Sequence, residues 1–344
     1  MSEASPESKP NSSKTNLSIL RFVVGLGILF TVLWFVDLRQ FLSSLLSVNP
    51  WIFFAMIAAA LGARFIRAWK WKELLAVGGI NVNTWQAVRL SLVSHFTGAW
   101  TPGQLGGDAY RVLALRKFGR SDVVLSTLLI ERYAGFCAVS FFACLSLPVT
   151  VPHLYRESPW VLALVITAIL AVSVVVPCLF NRRIASYVSR IVPGFRDSKI
   201  GRKLREFYKT TLSFRKYPTT LLIYALATLF ETFIYFIVNY LAARCLGLDV
   251  SLVFFLFAMP IVHLLLRIPI SFQGVGIQEG CFVYALVLHG FTPAEGLAIS
   301  VLQRALEWIV SISPGGLLMW LTPDPVPKDA SQLDAQDQAL HIQS

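Results

Sequence analysis

The chain has 344 residues, 56% of them hydrophobic and 14% charged, with a net charge of +11 and five cysteines. So apolar a composition excludes an ordinary soluble domain, and runs longer than about 18 apolar residues are long enough to cross a bilayer as helices. The excess charge is concentrated: residues 182–216 hold eleven Lys or Arg against Asp197 and Glu206. Beside membrane spans this argues for a cytoplasmic segment touching anionic headgroups, and against nucleic acid.

In chain order, residues 1–16 are rich in Ser, Lys, Pro and Asn and read as a disordered tail. Residues 17–36 form a first span, retained because no small-residue cleavage motif precedes Asp37-Leu38-Arg39. Residues 51–68 form a second. The mixture of Arg64, Arg67, Lys70 and Lys72 with Trp69 and Trp71 marks its cytoplasmic interface. Residues 85–100 are apolar but short of a span. They carry Arg89 and His95, and they stop at Pro102 in the break Thr101-Pro102-Gly103-Gln104-Leu105-Gly106-Gly107-Asp108. Basic residues follow at once, so the spacing predicts a helix that enters and returns on the basic side. Irregular backbone at that depth must be shielded by protein or line a wet cavity.

A span is expected over 123–149, with Glu131 and Arg132 about two turns inside it, then an outer loop at 151–158 and a returning span at 160–180. The basic segment that follows has apolar positions at helical spacing, as in helices lying on a membrane surface. Residues 219–243 span again with Glu231 near the middle, and 251–268 return carrying His263 and Arg267. A second break, Ser271-Phe272-Gln273-Gly274-Val275-Gly276-Ile277-Gln278-Glu279-Gly280, leads into a short helix at 281–288. The last long helix, 293–321, contains Arg304, Glu307 and a Pro314-Gly315-Gly316 interruption, and the tail 323–344 is polar.

The two breaks are related. An offset of about 171 residues lays Gly103 on Gly274, Asp108 on Glu279, Gly119 on Gly290 and Ser121 on Thr292, and one residue more brings Arg132 opposite Arg304. The expected architecture is therefore an all-α polytopic membrane protein of about seven to eight transmembrane helices. Its two halves, 17–180 and 218–322, flank the basic segment 181–217, and each carries a re-entrant glycine-rich loop (Pro102, Gly103, Gly106 and Gly107; Gly274 and Gly276).

Ionisable groups inside a bilayer are paired, face a cavity, or both. Those present are Asp108, Arg111, Glu131, Arg132, Glu231, Arg267, Glu279, Arg304 and Glu307. Glu131, Arg132, Arg304 and Glu307 can clip helices together as buried ion pairs, and Asp108 and Glu279 can cap helix starts. Alternatively, two facing half-helix starts and the nearby arginines build a midplane site for a phosphate-bearing lipid headgroup. Signatures of hydrolases, kinases and dinucleotide enzymes are missing, so an enzyme is not expected. No cofactor or metal is expected either: the histidines lack ligand spacing, and the cysteines form no C-x-x-C pair.

The run T-P-G-Q-L-G-G-D-A-Y-R, then G-R-S at 119–121 and L-I-E-R-Y at 129–133, resembles the membrane region of bacterial lysylphosphatidylglycerol synthases. So does G-V-G-I-Q-E-G, followed by T-P-A-E at 292–295, L-Q-R at 302–304 and P-G-G at 314–316. The similarity covers about residues 17–322 and includes stand-alone "flippase-like" proteins. It implies movement of a phospholipid across the bilayer, with Asp108, Arg111, Glu131, Arg132, Glu279 and Arg304 as the positions carried over by motif. The sequence ends soon after the last helix, so the aminoacyl-transferring domain is expected to be absent and synthase activity is not implied. The second break departs from the family's usual opening of proline and two glycines.

The resulting expectation is a multi-pass protein of the bacterial inner membrane, with its N-terminus and 181–217 cytoplasmic. It would bind and translocate an anionic-headgroup lipid (a phospholipid or an isoprenoid-linked phosphate) at a midplane cavity, using Asp108, Arg111, Glu131, Arg132, Arg267, Glu279 and Arg304. The alternatives are a non-transporting accessory subunit of a membrane glycosyltransferase or lipid synthase, and a lipid-modifying enzyme with Asp108 and Glu279 as paired acid and base.

Overall fold

The computed structural model describes residues 36–101, 104–157, 209–266 and 276–321, together with Phe30, Trp34 and parts of 159–170. The terminal tails, most of the first span, the amphipathic pieces up to 208, Pro102, Gly103, Gly274 and Arg267 lie outside the described residues. Among the described residues all regular structure is helical. The helices are α1 (Leu38–Leu46), α2 (Pro50–Val77), α3 (Thr84–Ala99), α4 (Leu105–Ala114), α5 (Ser121–Glu157), α6 (Pro218–Cys245), α7 (Leu252–Leu265), α8 (Ile277–Val287) and α9 (Pro293–Glu307). A π-helical turn, Trp308–Ile312, joins α9 to α10 (Ser313–Leu321).

Local chemistry fixes where these helices begin. The Asn49 side chain accepts from the N–H groups of Trp51 and Ile52, and Pro50 occupies the first helical position of α2. Reciprocal capping boxes, Asn83 with Gln86 and Thr292 with Glu295, start α3 and α9.

Among the described residues four helices are long and apolar enough to cross a membrane: α2, the Ser121–Pro148 part of α5, α6, and the continuous α9–α10 rod Pro293–Leu321. The helices α7 and α8 are apolar but shorter. Two sequence expectations change here. Residues 151–157, expected as an outer loop with 158, are helical instead, because α5 runs on to Glu157 through Pro148 and Pro152. Proline removes only its own hydrogen bond, and neighbouring groups in a membrane helix can absorb that loss. Likewise Pro314-Gly315-Gly316 does not interrupt the last helix; the irregularity is the π turn just before it.

The helix α2 is shared by two packing centres. Its first half, through Met56 and Ala60, joins Phe236, Phe255, Met259, Phe282, Leu286 and Leu302 of α6 to α9. Its second half, through Trp71, Leu74 and Leu75, joins Leu90, Val123, Val124, Leu128 and Tyr224. Lipid tails are as apolar as leucine, so close approach and polar pairing must hold such helices together. A Cβ on Gly296 would stand 2.7 Å from Val283 Cα, so this glycine lets α9 close on α8. Gly107 does the same for α4, where a Cβ would strike the Ser94 carbonyl of α3.

The two ends of the bundle differ. At one, the Gly78-Gly79 turn after α2, the α4–α5 turn with Arg120, and the start of α6 come together. At the other, Asn49 N–H donates to Cys245 O at 2.8 Å, joining the start of α2 to the end of α6. The α8–α9 turn lies at this second end, where the His289 ring is 4.3 Å from that of Phe254 near the start of α7. The α4–α5 and α8–α9 turns, both closed by left-handed glycines (Gly119, φ 65°; Gly290, φ 85°), thus sit at opposite ends.

Candidate functional site

The helix α6 has two unlike faces. Leu222, Ile223, Leu226 and Phe230 are exposed, as lipid contact requires. Tyr224, Thr228, Glu231, Thr232 and Asn239 are buried, and with Tyr235 they form a polar line at helical spacing. From Tyr224 to Asn239 this line rises about 22 Å, most of the roughly 30 Å hydrocarbon thickness.

Opposite it, α2 presents Arg64, Arg67 and Lys70 on successive turns. Glu231 receives Arg67 Nε on one carboxylate oxygen at 2.7 Å and Lys70 Nζ on the other at 2.6 Å. Lys70 also donates to Thr228 Oγ1 at 2.8 Å and lies 4.9 Å from the centre of the Tyr224 ring. Arg64 and Arg67 stand over the Tyr235 ring. His95 of α3 closes the group: its Nδ1 is 2.9 Å from Ser91 O, and its Nε2 meets Arg64 and Arg67. A carbonyl only accepts and a guanidinium only donates, so the proton sits on Nδ1 and Nε2 accepts. Glu307 lies 3.8 Å from Arg64 at the open edge.

A second unit adjoins the first. Arg111 of α4 is buried between the Trp71 ring of α2, 4.7 Å away, and Glu131 of α5, whose Oε2 is 2.6 Å from Arg111 Nη1. Glu131 is also within electrostatic reach of Arg67 and Lys70. Together the cations Arg64, Arg67, Lys70 and Arg111 face the carboxylates Glu131, Glu231 and Glu307, so one positive charge is in excess. The hydroxyls of Tyr224 and Tyr235 and the side-chain oxygen of Asn239 have no hydrogen-bond partner among the described residues. Each is a buried polar atom with spare hydrogen-bonding capacity.

The remaining sequence-predicted residues form two clips. Asp108 pairs with Arg132, half-exposed (28% and 47% of the side chains). Glu279 accepts from Arg304 Nε and Nη2 on Oε1, at 3.0 and 2.7 Å, and from Gly276 N–H on Oε2 at 2.7 Å. The capping role weighed for Glu279 is therefore real and is combined with an ion pair. Among the described residues Asp108 makes no comparable cap: the residue before α4 is Gln104 (φ 60°), with no side-chain cap. The clips are related as the sequence offset predicts, each joining the first turns of a short helix to an arginine on the next. No hydrogen bond or ion pair joins one clip to the other among the described residues. The paired acid and base imagined for Asp108 and Glu279 thus meet separate arginines.

Of the two roles open to Arg132 and Arg304, the ion-pair clip is the one the structure shows, and Arg111 likewise meets a carboxylate. The row Arg64, Arg67 and Lys70, expected to mark the cytoplasmic interface, lies against Glu231: Lys70 is buried (3% exposed side chain) and Arg67 three-quarters so. Sequence reasoning missed this row, and with it His95. The available signal was the three-residue repeat of cations inside an apolar helix, with a lone Glu231 in another.

A family model described as "Lysylphosphatidylglycerol synthase TM region" matches residues 18–315. A UPF0104 membrane protein of Methanothermobacter thermautotrophicus is 22% identical over 261 residues, covering 70% of this chain and 77% of that protein. No solved structure matches.

Proposed function

The chain belongs to the family of lysylphosphatidylglycerol synthase transmembrane regions, and from that premise we propose that it binds a lipid with an anionic headgroup and moves the headgroup across the bilayer. The observation that carries this reading is the polar line of α6 set against the cationic row of α2, inside a body whose outer face is apolar. An intramembrane charge cluster is costly to keep and is by default a functional site. Its single excess positive charge suits one phosphodiester, with the acyl chains left in the bilayer. The tyrosine hydroxyls and Asn239 offer polar contacts above and below the arginines.

The short helices support the same reading. From the Gly79 end α3 runs inward and α4 returns; from the opposite end α7 runs inward and α8 returns. At about 1.5 Å per residue, α4 and α8 place their glycine-rich starts about 15 Å deep, near the middle of the bilayer. We read them as two re-entrant halves of inverted topology, the arrangement in which repeat-built transporters bind their substrates. On this reading the protein is not an enzyme and lies in a bacterial inner membrane, with the basic end cytoplasmic.

The test is purified protein in liposomes carrying a trace of phosphatidylglycerol with a fluorescent headgroup, with an impermeant quencher outside. Quenching beyond the outer leaflet is expected for the parent and is lost in Arg67→Ala and Glu231→Gln. If the parent moves no anionic lipid at all, the translocation reading falls and an accessory role replaces it.

A further inference from the structure

A crevice of about 310 Å³ opens at the basic end of the bundle, and its lining shares no residue with the α2–α6 charge cluster. Ala76, Gly79, Arg120, Thr210, Ser213 and Lys216 line it, with Val123 and Phe214 as its apolar floor. Its volume is at the lower end of the roughly 300–1,000 Å³ usual for small-ligand sites.

Its charges point one way. Arg120 and Lys216 come from segments almost a hundred residues apart and face the same hollow. Among the described residues neither is paired with a carboxylate, unlike Arg67, Arg111 and Arg304. Gly79, at φ 83°, makes room for the guanidinium: a Cβ there would stand 2.7 Å from Arg120 Nη1. Two hydroxyls also belong to the lining. Ser213 Oγ donates to Thr210 O at 2.7 Å and Thr210 Oγ1 donates to Asp122 Oδ2 at 2.6 Å, so both protons are engaged and the grip on an anion falls to the two cations. The Asp122 carboxylate is thereby turned toward Thr210 at the margin. The Phe214 floor gives the hollow an apolar wall where the bilayer interface would meet it.

We propose that this crevice is a binding site for a phosphate group at the membrane interface, gripped by Arg120 and Lys216 and floored by Phe214 and Val123. A forked guanidinium and a lysine lining one hollow suit a tetrahedral anion with several oxygens. The site does not rest on the transport reading: it is built from other residues, and it can be filled whether or not the protein moves lipid.

The experiment uses the full chain in detergent, its native cysteines replaced, with an environment-sensitive fluorophore on Arg215→Cys beside the crevice. Dihexanoyl phosphatidic acid and, separately, inorganic phosphate are titrated. Saturable change with the lipid alone assigns the phosphate to a headgroup, and equal response to inorganic phosphate assigns it to a free anion; either outcome supports the site. The apparent Kd should rise about five-fold in Arg120→Ala and in Lys216→Ala and about 25-fold in the double variant. Lys117→Ala, an exposed cation outside the crevice, should stay within about two-fold of the parent. Lys216 is exposed, so its removal leaves the fold intact. The proposal is overturned if neither probe saturates below about 10 mM, if the double variant binds like the parent, or if Lys117→Ala weakens binding as much as Arg120→Ala.

Discussion

Replacing Glu231 with Gln tests the charge cluster most severely as structure. The carboxylate is 4% exposed and holds Lys70 and Arg67 on its two oxygens, at 2.6 and 2.7 Å. A glutamine keeps the shape but removes the carboxylate in direct contact with two cations, of which Lys70 is 3% exposed, and leaves them only the more distant Glu131. Removing one partner of a buried pair typically costs about 3–5 kcal/mol, because a charge is left uncompensated. Against a total stability of roughly 5–15 kcal/mol that is a large share. The thermal midpoint in detergent should fall by roughly 5–10 °C. Lys70→Met alone leaves Glu231 paired with Arg67 and should cost less. The double variant should be more stable than Glu231→Gln alone, giving a coupling of about 1–3 kcal/mol in the cycle. The assay is fluorescence-detected size-exclusion chromatography after heating, with lipid movement measured on the same preparations. A midpoint for Glu231→Gln indistinguishable from the parent, or an additive cycle, would refute the claim that the three side chains act as one buried unit.

Other expectations follow from the same distances. Arg132→Ala should lower stability by under about 1 kcal/mol, since its pair with Asp108 is half-exposed; a loss as large as that of Glu231→Gln in the same thermal assay would contradict this. Glu279→Ala should be less stable than Glu279→Gln by about 1 kcal/mol, because only glutamine retains an acceptor for Gly276 N–H, and thermal midpoints decide this. Gly107→Ala should reduce the yield of monodisperse protein, since its Cβ would meet the Ser94 carbonyl of α3. Gly62→Ala, which meets nothing within 4 Å, should not.

What could be read from sequence, and what could not, separates by the range of the interactions. The positions of α2, α5, α6 and α9–α10 follow from apolar runs, and their starts from Asn49, Pro50, Thr292 and Pro293, all local signals. The offset between the breaks matched Asp108 to Glu279 and Arg132 to Arg304, but that Asp108 pairs with Arg132 and Glu279 with Arg304 appears only in the structure. Lys70 was misread because its partner is far away in the chain. The rule that basic residues near tryptophan mark an interface takes no account of Glu231, 164 residues beyond Arg67. Adjacent Glu131 and Arg132 show the same limit: on a helix they point apart, one to Arg111 and the other to Asp108, and no spacing in the sequence says which. The end of α5 failed for another reason, since Pro148 and Pro152 signal a stop that membrane helices can override.

The central claim is that the polar line of α6 faces a wettable path for a headgroup, and thiol accessibility tests it most directly. In a cysteine-free background, Tyr235→Cys and Asn239→Cys are exposed to an impermeant charged thiol reagent in intact proteoliposomes. Phe230→Cys, on the exposed apolar face, serves as the lipid-facing reference. The account predicts that positions 235 and 239 react, that anionic lipid slows them, and that position 230 stays silent. Silence at 235 and 239, with the protein folded, would mean that the line is sealed inside protein and carries no headgroup.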